Sequence, residues 1–280
     1  MKLVRYGEVG TEKPGLIDGS GQLRDLSAHI ADLDVAAYES GSLERLKQID
    51  PASLPAVEGS PRLGAPISRT GHFIAIGLNY ADHAKESGLP IPAEPVVFSK
   101  APSSLNGPND DIVYPRGASK LDWEVELAFI ISKKAWQVSE ADALDHVAGY
   151  TVCNDVSERA WQIDGTGQWI KGKSAPTFGP LGPVLVTGDE IADPQNLDMF
   201  LDVNGKRRQT GNTSTMIFPV KTLVAYLSTI MMLEPGDVVT TGTPPGVGMG
   251  MKPQQFLHPG DEIRLGIAGI GEQTQKVVAE

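Results

Sequence analysis

Cysteine, positive charge and long apolar runs are what this sequence has least of. One cysteine in 280 residues, Cys153, leaves no intrachain disulfide to hold the fold, which agrees with a reducing compartment. Nothing near it marks it as a nucleophile, so a buried apolar role is expected. Lysine and arginine number 24 against 35 aspartates and glutamates, a net charge of -11. A surface of that sign repels nucleic acid and anionic membranes alike. An anionic substrate would have to be drawn in locally, by a metal and a few basic residues. No apolar run approaches the roughly 20 residues that span a bilayer. The start, Met1-Lys2-Leu3-Val4-Arg5-Tyr6-Gly7, lacks the apolar segment of a signal peptide. A cytoplasmic protein without nucleic-acid or membrane partners is the expectation.

What is present, 40% hydrophobic and 21% charged residues, suits a globular chain with a substantial core. The first ~50 residues hold a hairpin turning around Gly15 to Gly21 and a helical stretch through Leu43 and Leu46. Four prolines (Pro51, Pro55, Pro61, Pro66) then read as a linker. The domain expectation is a small N-terminal unit over 1–68 and a main domain over 69–280. The main domain is mostly strand: Phe73 to Gly77, Val96 to Ser99, Asp122 to Ile131, Leu181 to Thr187, Val238 to Thr241 and Glu262 to Ile267. A hairpin from Met199 turns at Asn204-Gly205, a pair suited to a type I′ turn. Helices are few: about Tyr80 to Ser87, Glu140 to Ala143, Ser157 to Gln162 and Val220 to Met232. Strand clusters without regular βαβ alternation predict an α+β, β-rich fold with a rolled, barrel-like sheet.

Three acidic residues stand in apolar surroundings. Glu124 and Glu126 sit two apart in the run from Asp122 to Ile131 and so project from one side of a strand, while Asp155 ends the β-type run from Tyr150. A wet face of an amphipathic strand would account for the two glutamates alone. Buried together, three carboxylates repel one another and each loses its hydration, and a divalent cation resolves both costs. All-oxygen ligands point to Mg²⁺ or Mn²⁺ first and Ca²⁺ next.

Two motifs mislead. Gly167 to Ser174 matches the G-x-x-x-x-G-K-[ST] phosphate loop, but no buried strand precedes it and Pro176 and Pro180 follow. Gly246-Val247-Gly248-Met249-Gly250-Met251 lacks the third glycine of a dinucleotide fingerprint and reads as a flexible loop.

His83 and Glu86, at i and i+3, share one face of a short helix, where a carboxylate can fix the imidazole's tautomer and raise its basicity. A surface ion pair has the same spacing. Several segments in order, however, resemble the fumarylacetoacetate hydrolase family. They are Gly77-Leu78-Asn79-Tyr80, Phe98 to Leu105, Asp122-Trp123-Glu124-Val125-Glu126, Asn154 to Arg159, Gly172-Lys173-Ser174, Thr215 to Phe218, and Pro235 through Gly248. Ala101 stands where the family often has a second proline.

The resemblance, from about Gly71 to the C-terminus, implies a rolled mixed sheet, a homodimer and a Mg²⁺ or Mn²⁺ site. It implies Glu124, Glu126 and Asp155 as ligands and His83 with Glu86 as a water-activating dyad. Lys173 matches an oxyanion-stabilising lysine, and Arg159, Gln162 and Thr243 match substrate contacts. The implied reaction is hydrolysis of a carbon-carbon bond in a 2,4-diketo acid, a small anionic substrate. The N-terminal stretch, Tyr114 to Gly117, Asn196 to Met199 and Asp202 to Gly205 look most like bacterial members acting on 2,4-diketo-3-deoxy sugar acids. The alternatives are an oxaloacetate decarboxylase or tautomerase of the same family, and a non-catalytic Ca²⁺ module that would leave His83, Lys173 and Arg159 without a role.

Overall fold

Strand is the predominant element in the computed structural model, which describes residues 1–39, 41–88 and 90–280. In chain order the strands and helices are β1 (Lys2–Tyr6), β2 (Lys13–Ile17), β3 (Leu23–Asp25), α1 (Val35–Glu39), α2 (Ser42–Leu46), β4 (Leu63–Gly64), β5 (Phe73–Gly77), α3 (Ala81–Ser87), β6 (Val96–Lys100), β7 (Leu105–Asn106), β8 (Ile112–Tyr114), β9 (Leu121–Asp122) and β10 (Val125–Ile131). There follow β11 (Val147–Asn154), β12 (Ser157–Glu158), α4 (Arg159–Ile163), α5 (Ile170–Lys173), β13 (Gly179–Thr187), β14 (Asp198–Val203), β15 (Lys206–Asn212), α6 (Val220–Ile230), β16 (Val238–Thr240), β17 (Glu262–Ile267) and β18 (Gly271–Ala279).

A large mixed sheet runs β3-β2-β1-β13-β11-β10-β16-β5-β6, an open path rather than a closed barrel. Along this path neighbours are antiparallel except β16 beside β5, and off it β4 pairs antiparallel with β1 and β7 parallel with β13. A second sheet, β15-β14-β17-β18-β8, packs against it. The N-terminal strands continue the large sheet, Lys2 and Leu3 of β1 pairing with Val186 and Leu185 of β13.

β10 lies at the centre and explains the site. All seven of its residues are buried. Val125, Leu127, Phe129 and Ile131 enter one apolar cluster, while Ala128 and Ile130 enter the other. A strand covered on both faces has no wet side, so Glu126 at an even position is buried with its neighbours. The expected continuous strand from Asp122 is broken: β9 ends at Asp122 and pairs with β12, and Trp123-Glu124 leave the ladder before β10 begins. Cys153 is buried opposite Glu126, and burial pushes its thiol pKa well up, as the apolar role requires.

The Asn204-Gly205 turn has φ of 51° and 69°, the positive pair a type I′ turn needs. α6 buries Val220, Leu223, Val224 and Leu227, the i, i+3, i+4, i+7 pattern of an amphipathic helix. The helix expected over Glu140 to Ala143 is instead a 3₁₀ turn, Ala143–His146. The segment expected to be helical from Ser157 first pairs as β12 and turns helical at Arg159. No helix among the described residues is long and apolar enough to cross a membrane.

Candidate active site

The three carboxylates converge where β10 and β11 pair. Glu124 precedes β10, Glu126 is its second residue, and Asp155 follows β11, whose last residue Asn154 pairs with Val125. Glu124 is 6% exposed, Glu126 2% and Asp155 0%. Each offers an oxygen within 4.8 Å of the others. Oxygen ligands at about 2.0–2.6 Å from one hard cation would span that separation.

The surrounding cations show how the protein bears this charge. Lys173 Nζ donates to Glu124 Oε2 at 2.5 Å and to Asp155 Oδ2 at 2.6 Å. Lys100 Nζ donates to Asp155 Oδ1 at 2.6 Å and to the Lys173 carbonyl at 2.6 Å. Arg159 reaches Glu124 Oε1 at 2.6 Å and Asp122 Oδ2 at 2.8 Å. Asp122, Arg159, Glu124, Lys173, Asp155 and Lys100 thus alternate in sign along one chain of buried ion pairs.

Glu126 is the carboxylate left over. Its Oε2 accepts the Gly242 amide at 2.8 Å, and it makes no ion pair among the described residues. Burial first, then the Asp155 and Glu124 charges, push its pKa well above the usual carboxylate range. For Glu124 burial acts in the same direction, but Arg159 and Lys173 outweigh it and hold the carboxyl well below that range. Burial likewise opposes the charge on Lys173, and Asp155 and Glu124 prevail to raise its pKa. A buried carboxylate without a cation, beside two more in reach of one ion, fits a divalent metal of the hard, oxygen-preferring kind.

Glu124, Glu126, Asp155, Arg159 and Lys173 line a cavity of about 510 Å³. His83 and Glu86 of α3 line the same cavity, His83 Nδ1 lying 3.2 Å from Glu86 Oε2. His83 is 7% exposed, which is not the exposure of a surface ion pair. Arg159, Gln162, Lys173 and Thr243 also reach the cavity. Arg159 Nη1 donates to Gln162 Oε1 at 3.0 Å, and the Gln162 amide nitrogen has no protein partner among the described residues. Thr243 Oγ1 donates to the Val125 carbonyl at 2.9 Å and accepts from Gln209 at 2.8 Å.

Three residues of the site carried no assignment from the sequence. Lys100 ends β6 inside a matched segment, and its signal was a lysine closing an apolar strand. Asp122 opens the Asp-Trp-Glu-Val-Glu run. Trp169 forms a wall of the cavity, edge-on to Phe98 with ring centroids 5.2 Å apart. A Cβ on Gly77 would lie 2.4 Å from the Trp169 ring, so the indole seats where only glycine leaves room.

The two misleading motifs resolve here. The phosphate-loop look-alike is a loop into the four-residue α5, whose last residue is Lys173. The run 246–251 is tied down rather than free. Gly246 N donates to Glu86, Gly248 N and Met249 N donate to Asp122, and the Gly246 carbonyl accepts from the Trp123 indole. Its glycines serve close approach, since a Cβ at Gly248 would sit 1.9 Å from the Gln255 carbonyl.

Comparison with known proteins bears on the family and the fold. The family profile described as fumarylacetoacetate (FAA) hydrolase C-terminal matches residues 72–278. A Burkholderia ambifaria protein, named only as a provisional hydrolase, is 61% identical over 276 residues, covering 98% of each chain. The structure of a fumarylacetoacetate hydrolase from psychrophilic Exiguobacterium antarcticum superposes with a TM-score of 0.91 at 37% identity, covering 100% of both chains. That of maleylpyruvate hydrolase from Sphingobium sp. SYK-6, in complex with manganese(II) and pyruvate, does so at 0.81 and 29%, covering 100% of this chain and 99% of that one.

Proposed function

The chain belongs to the fumarylacetoacetate hydrolase family, and from that premise we propose that it is a divalent-metal-dependent hydrolase of 2,4-diketo acids. It would cleave the C3–C4 bond to release pyruvate and a second carboxylic acid. The observation that carries this reading is that one cavity holds both the carboxylate trio and the His83–Glu86 pair. Decarboxylation or tautomerisation has no use for an activated water, and so none for that pair.

Glu124, Glu126 and Asp155 would hold Mg²⁺ or Mn²⁺, whose Lewis acidity would polarise the substrate's 2-oxo acid end. With Glu86 accepting from Nδ1–H, the imidazole's Nε2 is left as the base. It takes a proton from water as the water oxygen bonds to C4. An ammonium has three donors, and Lys173 spends two on Glu124 and Asp155. The third is available to the oxyanion that forms at C4. As the C3–C4 bond breaks, its electron pair passes to C3, and His83 returns the proton there. Water is thereby consumed with no other co-reactant. Arg159 holds Glu124 in place, and the spare amide of Gln162 can donate to the substrate.

Within this class the sequence favours 2,4-diketo-3-deoxy sugar acids of the rhamnonate or fuconate type, where a 6-deoxy substrate yields pyruvate and lactate. Pyruvate release from acylpyruvates, diketo-deoxy sugar acids and oxaloacetate, each with Mg²⁺ or Mn²⁺ after chelation, tests the assignment. Turnover of oxaloacetate with none of the diketo acids hydrolysed would replace it with the decarboxylase reading.

A further inference from the structure

Asp122 is completely buried and is not among the residues that line the cavity holding the three carboxylates. Its carboxylate accepts four N–H groups: Oδ1 from Gly248 N at 2.7 Å and Trp123 N at 2.9 Å, Oδ2 from Arg159 Nε at 2.8 Å and Met249 N at 3.0 Å. A carboxylate has about four lone-pair directions. All are taken, so Asp122 is neither a ligand nor a base.

What it joins is informative. On one side Arg159 continues to Glu124 Oε1 at 2.6 Å. On the other, Gly248 and Met249 belong to the loop whose Gly246 amide lies 3.2 Å from both carboxylate oxygens of Glu86. Glu86 therefore has two attachments, His83 within α3 and the loop outside it. The loop can sit so near Asp122 only because residue 248 has no Cβ, which would fall 2.7 Å from Asp122 Oδ1. A continuous run of short contacts thus links the His83–Glu86 pair to the carboxylate cluster: Glu86, Gly246 to Met249, Asp122, Arg159, Glu124.

We propose that Asp122 is a positioning residue coupling the two halves of the site. Through it, filling of the carboxylate cluster by a divalent cation and docking of α3 on the 246–250 loop favour each other. The proposal rests on the reading of Glu124, Glu126 and Asp155 as metal ligands. A cation that fixes Glu124 fixes Arg159, and Arg159 shares an oxygen of Asp122 with Met249 N. By linkage the effect is reciprocal, so loosening the loop must weaken the cation.

The test uses the full chain, Mn²⁺ alone as probe, and two readouts besides turnover: Mn²⁺ affinity by calorimetry and amide exchange of the loop and α3. In the unaltered protein Mn²⁺ should slow exchange in both segments. Asp122→Asn keeps the size but puts an NH₂ where Arg159 Nε and Met249 N need an acceptor. It should weaken Mn²⁺ by roughly 10- to 100-fold, the usual effect of altering a ligand's support, and abolish the response of the loop. Exchange in β10 and β11 should stay unchanged, as a general loss of structure would not allow. Glu86→Gln, at a partly exposed position outside the cluster, should reduce Mn²⁺ affinity and loop protection in the same direction and decides the matter if Asp122→Asn does not fold. Unchanged Mn²⁺ affinity in the folded variants, or loop exchange that responds to Mn²⁺ as in the parent, overturns the coupling. If the parent binds no Mn²⁺, the metal assignment falls and the coupling with it.

Discussion

Glu126→Gln should stabilise the metal-free protein while destroying its metal site. Glu126 is 2% exposed, makes no ion pair among the described residues, and feels the charges of Asp155 and Glu124. Its pKa in the folded, metal-free chain therefore lies well above the usual 4.5. Below pH ~4.5 it is protonated folded and unfolded alike, so this stabilising difference is fully present there. As pH rises, the unfolded chain gives up the proton and the folded one keeps it. Stability falls by about 1.4 kcal/mol per pH unit until the raised pKa is reached. Glutamine has no such proton, so its advantage should grow at about that slope as pH rises from the usual carboxylate pKa toward the raised one. Unfolding entropy of about 2.1 cal/mol/K per residue over 280 residues comes to roughly 0.6 kcal/mol/K, or about 2 °C in Tm per pH unit. Scanning calorimetry of chelated protein across pH 5–7 measures it. Saturating Mn²⁺ should invert the order, since a cation at 100 times its Kd adds about 2.7 kcal/mol to the parent and little to the variant. Parallel Tm curves for the two metal-free proteins would refute the reasoning.

Removal of metal should abolish turnover and Mg²⁺ or Mn²⁺ restore it, and Glu124→Ala and Asp155→Ala should each be inactive when assayed for pyruvate with either ion. His83→Ala should lower hydrolysis of a diketo acid by about 10² to 10⁴, and Glu86→Ala by less, while calorimetry still detects Mn²⁺ on the His83 variant; near-parental hydrolysis would end the water-activating role. Gly77→Ala must displace the Trp169 ring, 2.4 Å from the new Cβ, and should shift Trp fluorescence and raise KM more than it lowers kcat. The chain is expected to be a homodimer, and a monomer mass by light scattering would count against it.

Some of the fold is legible in the sequence. β10 and β16 read as strands because their apolar runs are continuous, and the Asn204-Gly205 hairpin because that dipeptide tolerates positive φ at both positions. β18 was not, for a physical reason. Its inward residues include Gln273 and Gln275, fully buried and satisfied by the carbonyls of Val152, Gly182 and Pro108. An inward face of glutamine carries no hydrophobic period.

The site divides the same way. Glu124, Glu126 and Asp155 stand out because a carboxylate in an apolar run is costly wherever it folds; helical spacing places His83 beside Glu86, but a surface ion pair has the same spacing, and the family resemblance singles that pair out. Which cations offset those carboxylates is not local. Lys100 and Asp155 are 55 residues apart, Lys173 and Glu124 49, Asp122 and Gly248 126. Their meeting depends on β-sheet register and on close backbone approaches that glycine permits. Sequence alone therefore put Glu124 and Glu126 on one side of a strand, Asp155 in apolar surroundings, and His83 with Glu86 on one face of a short helix, while the family resemblance supplied the roles they are expected to play. Only the tertiary structure decided that Glu126 makes no ion pair among the described residues and that Asp122 joins the 246–249 loop to Arg159 and Glu124, because both follow from distances between segments that share no local pattern.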